Sequence, residues 1–302
     1  MYDVIVIGAG PAGMTAAIYA KRSNLKVLLV EKGAPGGQVV STKEVENYPG
    51  FMPITGPDLS LNMFNHVMEL EIETEFNEVV KVEVKDNFKY VTLDDERVLS
   101  AKALILANGV VPRNLGVLGE DKFSMRGISW CAICDGPFYK GKDVVVIGGG
   151  NSAVEEGAFL ASIANKVTFV QNLKDFTAAQ AAIDNLKKFN NIDYHFEAVV
   201  TEFIGNEELT HVKIKKPNNQ EILIKTDGVF EYIGLIPSSE IISHLGITNK
   251  YGYIVTDEAL QTNIPGIFAA GDVREKEIRQ IVTATGDGAI ASQGVLKYLK
   301  GC

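Results

Sequence analysis

The sequence predicts an α/β fold of two three-layer units, each a parallel sheet between helices, with the second unit inserted in the first. Three observations carry this. A strand, a glycine turn, a helix and a second strand ending in an acid follow one another over residues 3–31. The same pattern returns 140 residues later, with Gly148 answering Gly8 and Val170 answering Val30. A late apolar run ending in Gly271-Asp272 then supplies a further strand for the first unit.

The first unit opens with a β-branched run at 3–7, which leads into Gly8-Ala9-Gly10-Pro11-Ala12-Gly13. A helix is predicted from Met14 to Lys21 and a strand from Lys26 to Val30, followed by Glu31 and Lys32. The three glycines serve different physical ends. Gly8 permits the tight turn, Gly10 lets backbone approach a pyrophosphate, and Gly13 lets helix and sheet pack closely. The helix N-terminus then faces phosphate, and Glu31 can accept from a ribose diol. This is a Rossmann-like, dinucleotide-binding pattern.

In the repeat, Asp143–Ile147 is the strand, Gly148-Gly149-Gly150-Asn151-Ser152-Ala153 the turn, and Val154–Ile163 the helix, with Glu156 on its first turns. Lys166–Val170 is the second strand, and Gln171 stands where the acid stood. So regular a duplication implies two dinucleotide sites, typically a nicotinamide and a flavin exchanging electrons.

Between these landmarks, runs at 78–84, 90–93 and 98–100 predict a small antiparallel insertion, and 103–107 a buried strand ending in Asn108-Gly109. Segments 110–118 and 230–243, holding Pro112 and Pro237, read as two crossings between units. The expected domains are 1–112 with 244–302, binding FAD, and 113–243, binding NAD(P) and carrying the cysteine pair. Near the end, 262–272 reads as a turn, a buried strand and an acid beyond its carboxyl end, where α/β sheets bind ligands. Asp272 is therefore placed to hold a flavin's ribityl chain, the alternative being a cap on the helix predicted over 284–299.

A net charge of −9 argues against nucleic acid or anionic membrane as partners. The N-terminal apolar run is broken at Gly8, so neither a signal peptide nor a membrane span is predicted. Three cysteines build no disulfide framework, which favours a reducing, cytoplasmic setting.

Two of those cysteines stand together in Trp130-Cys131-Ala132-Ile133-Cys134-Asp135-Gly136. CxxC spacing lets two thiols close a disulfide at a turn or helix start, where a thiolate is stabilised. A zinc site would need two more ligands, and His66, His195, His211 and His244 are scattered singly, so no metal is predicted. Asp135 is placed to protonate a departing thiolate as general acid, or to serve as an N-cap. Cys302 reads as a free terminal thiol.

These residues resemble the low-molecular-weight thioredoxin reductases across nearly the whole chain. The matching stretches are Gly8–Gly13, Gly36-Gly37-Gln38, Glu46–Phe51, Cys131–Gly136, Gly148–Glu156, Gly271-Asp272-Val273 and Arg279-Gln280. The resemblance implies a homodimeric FAD enzyme that reduces the disulfide of thioredoxin, with Cys134 facing the flavin, Cys131 attacking the partner and Asp135 as acid–base residue. It places Gly37, Gln38, Asn47, Asn108, Gly109, Gly271, Asp272, Arg279, Gln280 and Ile281 at the FAD. It also implies a nicotinamide domain that swivels about the two crossings. Related readings are a disulfide reductase for another carrier protein, or a flavoprotein sensor or scaffold with a decayed donor site.

The donor site departs from the family. Where the family has His-Arg-Arg-Asp-x-Phe-Arg-Ala for the 2′-phosphate of NADPH, this chain has Gln171-Asn172-Leu173-Lys174-Asp175-Phe176-Thr177-Ala178. A dianionic phosphate wants several cationic donors, and Lys174 alone substitutes poorly. Poor NADPH use is expected, leaving NADH, with the Gln171 amide on the ribose, or a non-nicotinamide donor such as ferredoxin. Smaller departures are Ile278, Ile133 and Pro137.

Overall fold

A computed structural model describes residues 1–42 and 44–301; Cys302 lies outside the described residues. The chain divides into two compact units, Met1–Val111 with Ile236–Cys302, and Pro112–Leu235.

In the first unit β1 (Tyr2–Ile7) runs into α1 (Pro11–Arg22), and β2 (Val27–Val30) returns parallel to β1. Pro11 is the first helical residue, where its missing N–H costs nothing and its fixed φ suits the helix. After α2 (Gly56–Glu69) come β3 (Glu73–Glu75), β4 (Val79–Lys85), β5 (Phe88–Leu93) and β6 (Val98–Leu106). The expected antiparallel insertion is not separate from the buried strand at 103–107. β6 is one strand of 9 residues. Its first half pairs antiparallel with β5, and its second half pairs parallel with β1. The reason lies in its burial, since Ala101 and Ala103–Leu106 are buried throughout whereas Val98 is exposed. β7 (Val110–Pro112) forms the first crossing.

The second unit contains α3 (Glu120–Phe123), β8 (Ile128–Ser129), α4 (Ala132–Asp135), β9 (Asp143–Ile147), α5 (Asn151–Ile163) and β10 (Lys166–Val170). α6 (Gln180–Leu186) and β11 (Ile192–His195) follow. An antiparallel three-stranded sheet comes next: β12 (Val199–Gly205), β13 (Leu209–Lys215) and β14 (Glu221–Lys225). β15 (Gly228–Glu231) completes a parallel sheet of order β11-β10-β9-β15-β8. The chain returns through β16 (Leu235–Pro237), which pairs with β7.

The boundary expected at 243/244 falls at 235/236 instead. Ile242, in the short helix Glu240–Leu245, is buried in the first unit's core with Ile5, Val82 and Ile254, so this segment packs there. β17 (Ile267–Ala269) joins β6 in parallel, and α7 (Ile281–Lys300) lies on α1. That contact is close because Gly288 meets α1 where a side chain would strike the Ala12 carbonyl. One face of the sheet packs on α1 and α7, and the other on β4, β5 and the 240–245 helix.

Candidate active site

The two glycine turns are duplicated at the level of single hydrogen bonds. Gly8 N–H donates to Val30 O at 2.8 Å, and Gly148 N–H to Val170 O at 3.0 Å. Gly8 and Gly148 take φ of +102° and +124°, where a Cβ would sit 2.4 Å from a carbonyl oxygen, that of Ala107 or Tyr232 respectively. Only glycine meets both demands. Gly10 and Gly150 are the extended N-caps of α1 and α5 and make no side-chain bond, so both helix starts present bare N–H groups.

Around the first turn, Glu31 accepts from Ala9 N–H at 2.7 Å and Gly33 N–H at 3.0 Å, so its carboxylate braces the turn. Lys32 is exposed and pairs with Glu78 at 3.3 Å. Gly36 N–H donates to Ala9 O, and Gly37 passes directly over Gly10. Gln38 donates to Val110 O at 2.7 Å, just past Asn108-Gly109. Asn47 donates to the Gln280 side chain at 3.0 Å. Gln280 with Thr283 forms the capping box of α7, whose first residue is Ile281. Asp272 is therefore not the helix cap. Its Oδ1 is buried without a hydrogen-bond partner among the described residues, and burial raises its pKa against the pull of Lys276 and Arg279. Arg279 lies 4.5 Å over the Tyr253 ring and donates to Asp272 O at 3.4 Å.

Sequence reasoning missed the brace behind this turn. Asp287, on α7, accepts from Gly271 N–H at 2.9 Å, Lys276 Nζ at 2.8 Å and Arg274 at 3.0 Å. A buried acid in an otherwise apolar and small-residue helix was the available signal.

In the second unit, Cys131 and Cys134 are joined as a disulfide at the start of α4. Cys131 is the N-cap, and its sulfur accepts from Cys134 N–H at 3.3 Å. Asp135 ends α4 and stands at the N-cap position of the short 3-10 helix Gly136–Tyr139, but its side chain makes no capping bond there; its carboxylate accepts from Ser129 Oγ at 2.6 Å. Ser129 Oγ also accepts from Cys131 N–H at 3.1 Å, linking acid and cysteine through one hydroxyl. Both cysteines and Asp135 are partly exposed.

The structure gives Glu156 a partner that the sequence did not suggest. Its Oε2 accepts from Ala132 N–H at 2.7 Å and from the Tyr232 hydroxyl at 2.6 Å. Burial raises the pKa of the Glu156 carboxyl above its usual range, and burial beside Glu156 holds the Tyr232 phenol well above its own.

At the second glycine turn Gln171 is buried, with its amide packed against Gly149. Its Oε1 accepts from Asn172 N–H at 3.1 Å and its Nε2 donates to Asp175 O at 3.5 Å. Both polar ends serve its own loop. Thr177 N–H and Oγ1 donate to Gly149 O, and Asn151 Oδ1 accepts from Ala179 N–H at 2.8 Å. Ser152 is exposed and Ala153 buried on α5. Lys174 is the sole cation between 171 and 178, and it is exposed. The four histidines fall on separate elements, and no group of three or more metal-binding side chains occurs among the described residues. No described helix is long and apolar enough to cross a membrane.

Two dinucleotide turns on one chain, with a cysteine pair joined at a helix start beside an acid, define a dinucleotide-linked redox protein. Residues 2–288 match the family described as Pyridine nucleotide-disulphide oxidoreductase, and the chain belongs to it. It is 48% identical to a thioredoxin reductase of Listeria innocua over 302 residues, covering 99% of this chain and 94% of the relative. It is 46% identical to one of Bacillus subtilis, covering 99% and 95%. Among solved structures, a thioredoxin reductase from Streptococcus pyogenes superposes with a TM-score of 0.92 at 44% identity, covering 100% of this chain and 99% of that one. The Lactococcus lactis enzyme gives 0.72 at 40% identity, covering 100% of each.

Proposed function

We propose that this chain is an FAD-dependent thioredoxin-disulfide reductase, in which the Cys131–Cys134 disulfide passes electrons to the disulfide of thioredoxin. The observation that carries the reading is that disulfide, joined to an acid through Ser129, in a chain 46–48% identical to thioredoxin reductases over its length.

The first unit's residues fit FAD. Gly8, Gly10, Pro11, Ala12, Gly13 and Gly37 leave a close backbone cradle, and the buried Asp272 Oδ1 lacks the donor that a ribityl hydroxyl would be. Glu31, Gln38, Asn47, Asn108, Gly109, Arg279, Gln280 and Ile281 would complete the site. Bound there, FAD would supply an acceptor for hydride and a donor of electron pairs to a disulfide. The chain's own residues do the rest. Cys134 takes the flavin side of the exchange, Cys131 attacks the partner, and Asp135 gives the departing thiolate its proton, while Ser129 ties the Asp135 carboxylate to the backbone of Cys131. We read the active form as a homodimer, as the resemblance implies.

NADPH is a poor donor in this reading. The 171–178 loop offers one lysine and no guanidinium, and the Gln171 amide is spent within its own loop. NADH, or a non-nicotinamide donor such as ferredoxin, takes its place. Anaerobic mixing of the flavoprotein with NADPH, NADH and reduced ferredoxin, followed at the flavin absorbance, tests this. Fastest bleaching by low-micromolar NADPH would refute the donor reading, and bleaching by any donor without thioredoxin reduction would refute the substrate. Cys134→Ser should abolish thioredoxin reduction while leaving flavin reduction intact.

A further inference from the structure

Glu156 and Tyr232 reach the cysteine pair from two other elements. Ala132 follows the N-cap Cys131, so its N–H is among the donors that a helix start leaves without an intrahelical acceptor. That N–H is shared between Glu156 Oε2 and the Tyr232 hydroxyl oxygen, both at 2.7 Å. Tyr232 completes the triangle by donating to the same Oε2 at 2.6 Å. Bonds of this length to a carboxylate are the strong kind. Both anchors sit on buried elements. Glu156 projects from α5, where Val154, Gly157 and Ala158 are buried, and Tyr232 directly follows the fully buried strand β15.

We propose that Glu156 and Tyr232 are positioning residues for the Cys131–Cys134 disulfide, holding Ala132 so that the two sulfurs stay in bonding register and the disulfide resists opening. The inference rests on reading that disulfide as redox-active, and it takes Glu156 away from the nucleotide role that its position after the second glycine turn suggests. The physical argument is one of confinement. A disulfide's stability against an external dithiol measures how often the backbone presents one thiol to the other, and a turn released at Ala132 samples more arrangements. Opening takes two electrons and two protons from the external dithiol, which itself closes to a disulfide, so the exchange balances without any nucleotide.

The test equilibrates the holoenzyme anaerobically with graded dithiothreitol buffers and counts free thiols in the peptide bearing Cys131 and Cys134. Wild type is compared with Glu156→Ala, Glu156→Gln and Tyr232→Phe. Glu156→Ala should move the equilibrium about tenfold toward the dithiol, which is about 30 mV. Tyr232→Phe should move it in the same direction by less. Glu156→Gln keeps an oxygen that accepts both bonds and should stay within about twofold of wild type. Unmoved equilibria in Glu156→Ala and Tyr232→Phe would overturn the proposal, above all if Glu156→Ala instead weakened nicotinamide binding. A Glu156→Gln shift as large as that of Glu156→Ala would overturn it too, by assigning the effect to charge. If Glu156→Ala does not fold, Tyr232→Phe decides alone. Because the readout contains neither thioredoxin nor a nicotinamide, failure of the assigned substrate would leave these shifts in place.

Discussion

Glu231 offers a stability prediction that the structure allows to be worked through. It ends β15, is 2% exposed, and both carboxyl oxygens are buried beside Glu120 and Trp130. Parallel register sets Phe230 beside Ser129, which brings Glu231 alongside Trp130. Burial first, and then the neighbouring Glu120 carboxyl, push its pKa from 4.5 up to about 8. A carboxyl whose folded value is raised folds without penalty while protonated. As pH climbs above 4.5 the unfolded chain releases the proton and the folded chain does not. Stability therefore falls by about 1.4 kcal/mol per pH unit until pH passes the folded value. Glu231→Gln keeps the shape and removes the titration. Between pH 5.5 and pH 8 its stability relative to wild type should rise by roughly 3 kcal/mol. Urea unfolding followed by the fluorescence of Trp130, the single tryptophan and in the same unit, reads this directly. If the two proteins kept a constant difference across that range, the buried acid would not be titrating as argued.

Other consequences can be checked with single or paired substitutions. Asp272→Ala removes the buried acceptor with no internal donor, and FAD should be held about ten- to a hundredfold more weakly, the loss of one charged hydrogen bond, measured as flavin released on gel filtration. Asp287→Ala strands Arg274 and Lys276, both largely buried, and should lower stability by about 3 kcal/mol or more in thermal melts of the holoenzyme. Asn172→Arg with Leu173→Arg returns guanidinium groups to the exposed 171–178 loop and should improve NADPH saturation by about tenfold or more while leaving NADH unchanged.

The elements whose physics is local were legible in the sequence. Both glycine turns, their flanking strands and the two helices after them follow from periodicity and from positions that only glycine tolerates, although the helices start at Pro11 and Asn151, three residues before the expected Met14 and Val154. The helix at the chain's end was legible too, but its capping box was not, because Gln280 with Thr283 is a weak variant of the usual signature. The fusion of 98–100 with 103–107 into one strand escaped the pattern. Lys102 projects outward to Asp3, and an exposed lysine inside a buried run reads as a break until its partner strand is known. The domain boundary slipped for a similar reason: Pro237 marks the crossing, but whether Ile242 belongs before or after it depends on which core receives it.

The site divides along the same line. Cys131, Cys134 and Asp135 are neighbours in sequence, and the closing of the cysteine pair beside an acid could be read from their spacing. What holds them is assembled from distance: Glu156 is 24 residues from Ala132, and Tyr232 is 100. Their meeting depends on sheet order, because β15 pairs beside β9 and so carries Tyr232 to the level of Gly148. There Tyr232 does two things at once. Its carbonyl oxygen lies where a Cβ on Gly148 would strike, which demands glycine in the second dinucleotide turn, while its hydroxyl holds the N–H of Ala132. The helix that starts at that turn supplies Glu156 to the same N–H. The second glycine turn and the disulfide therefore share one framework. That gives a physical reason for the turn to be intact beside a 171–178 loop that contains no guanidinium: the glycine motif supports the cysteines whether or not it grips a nucleotide.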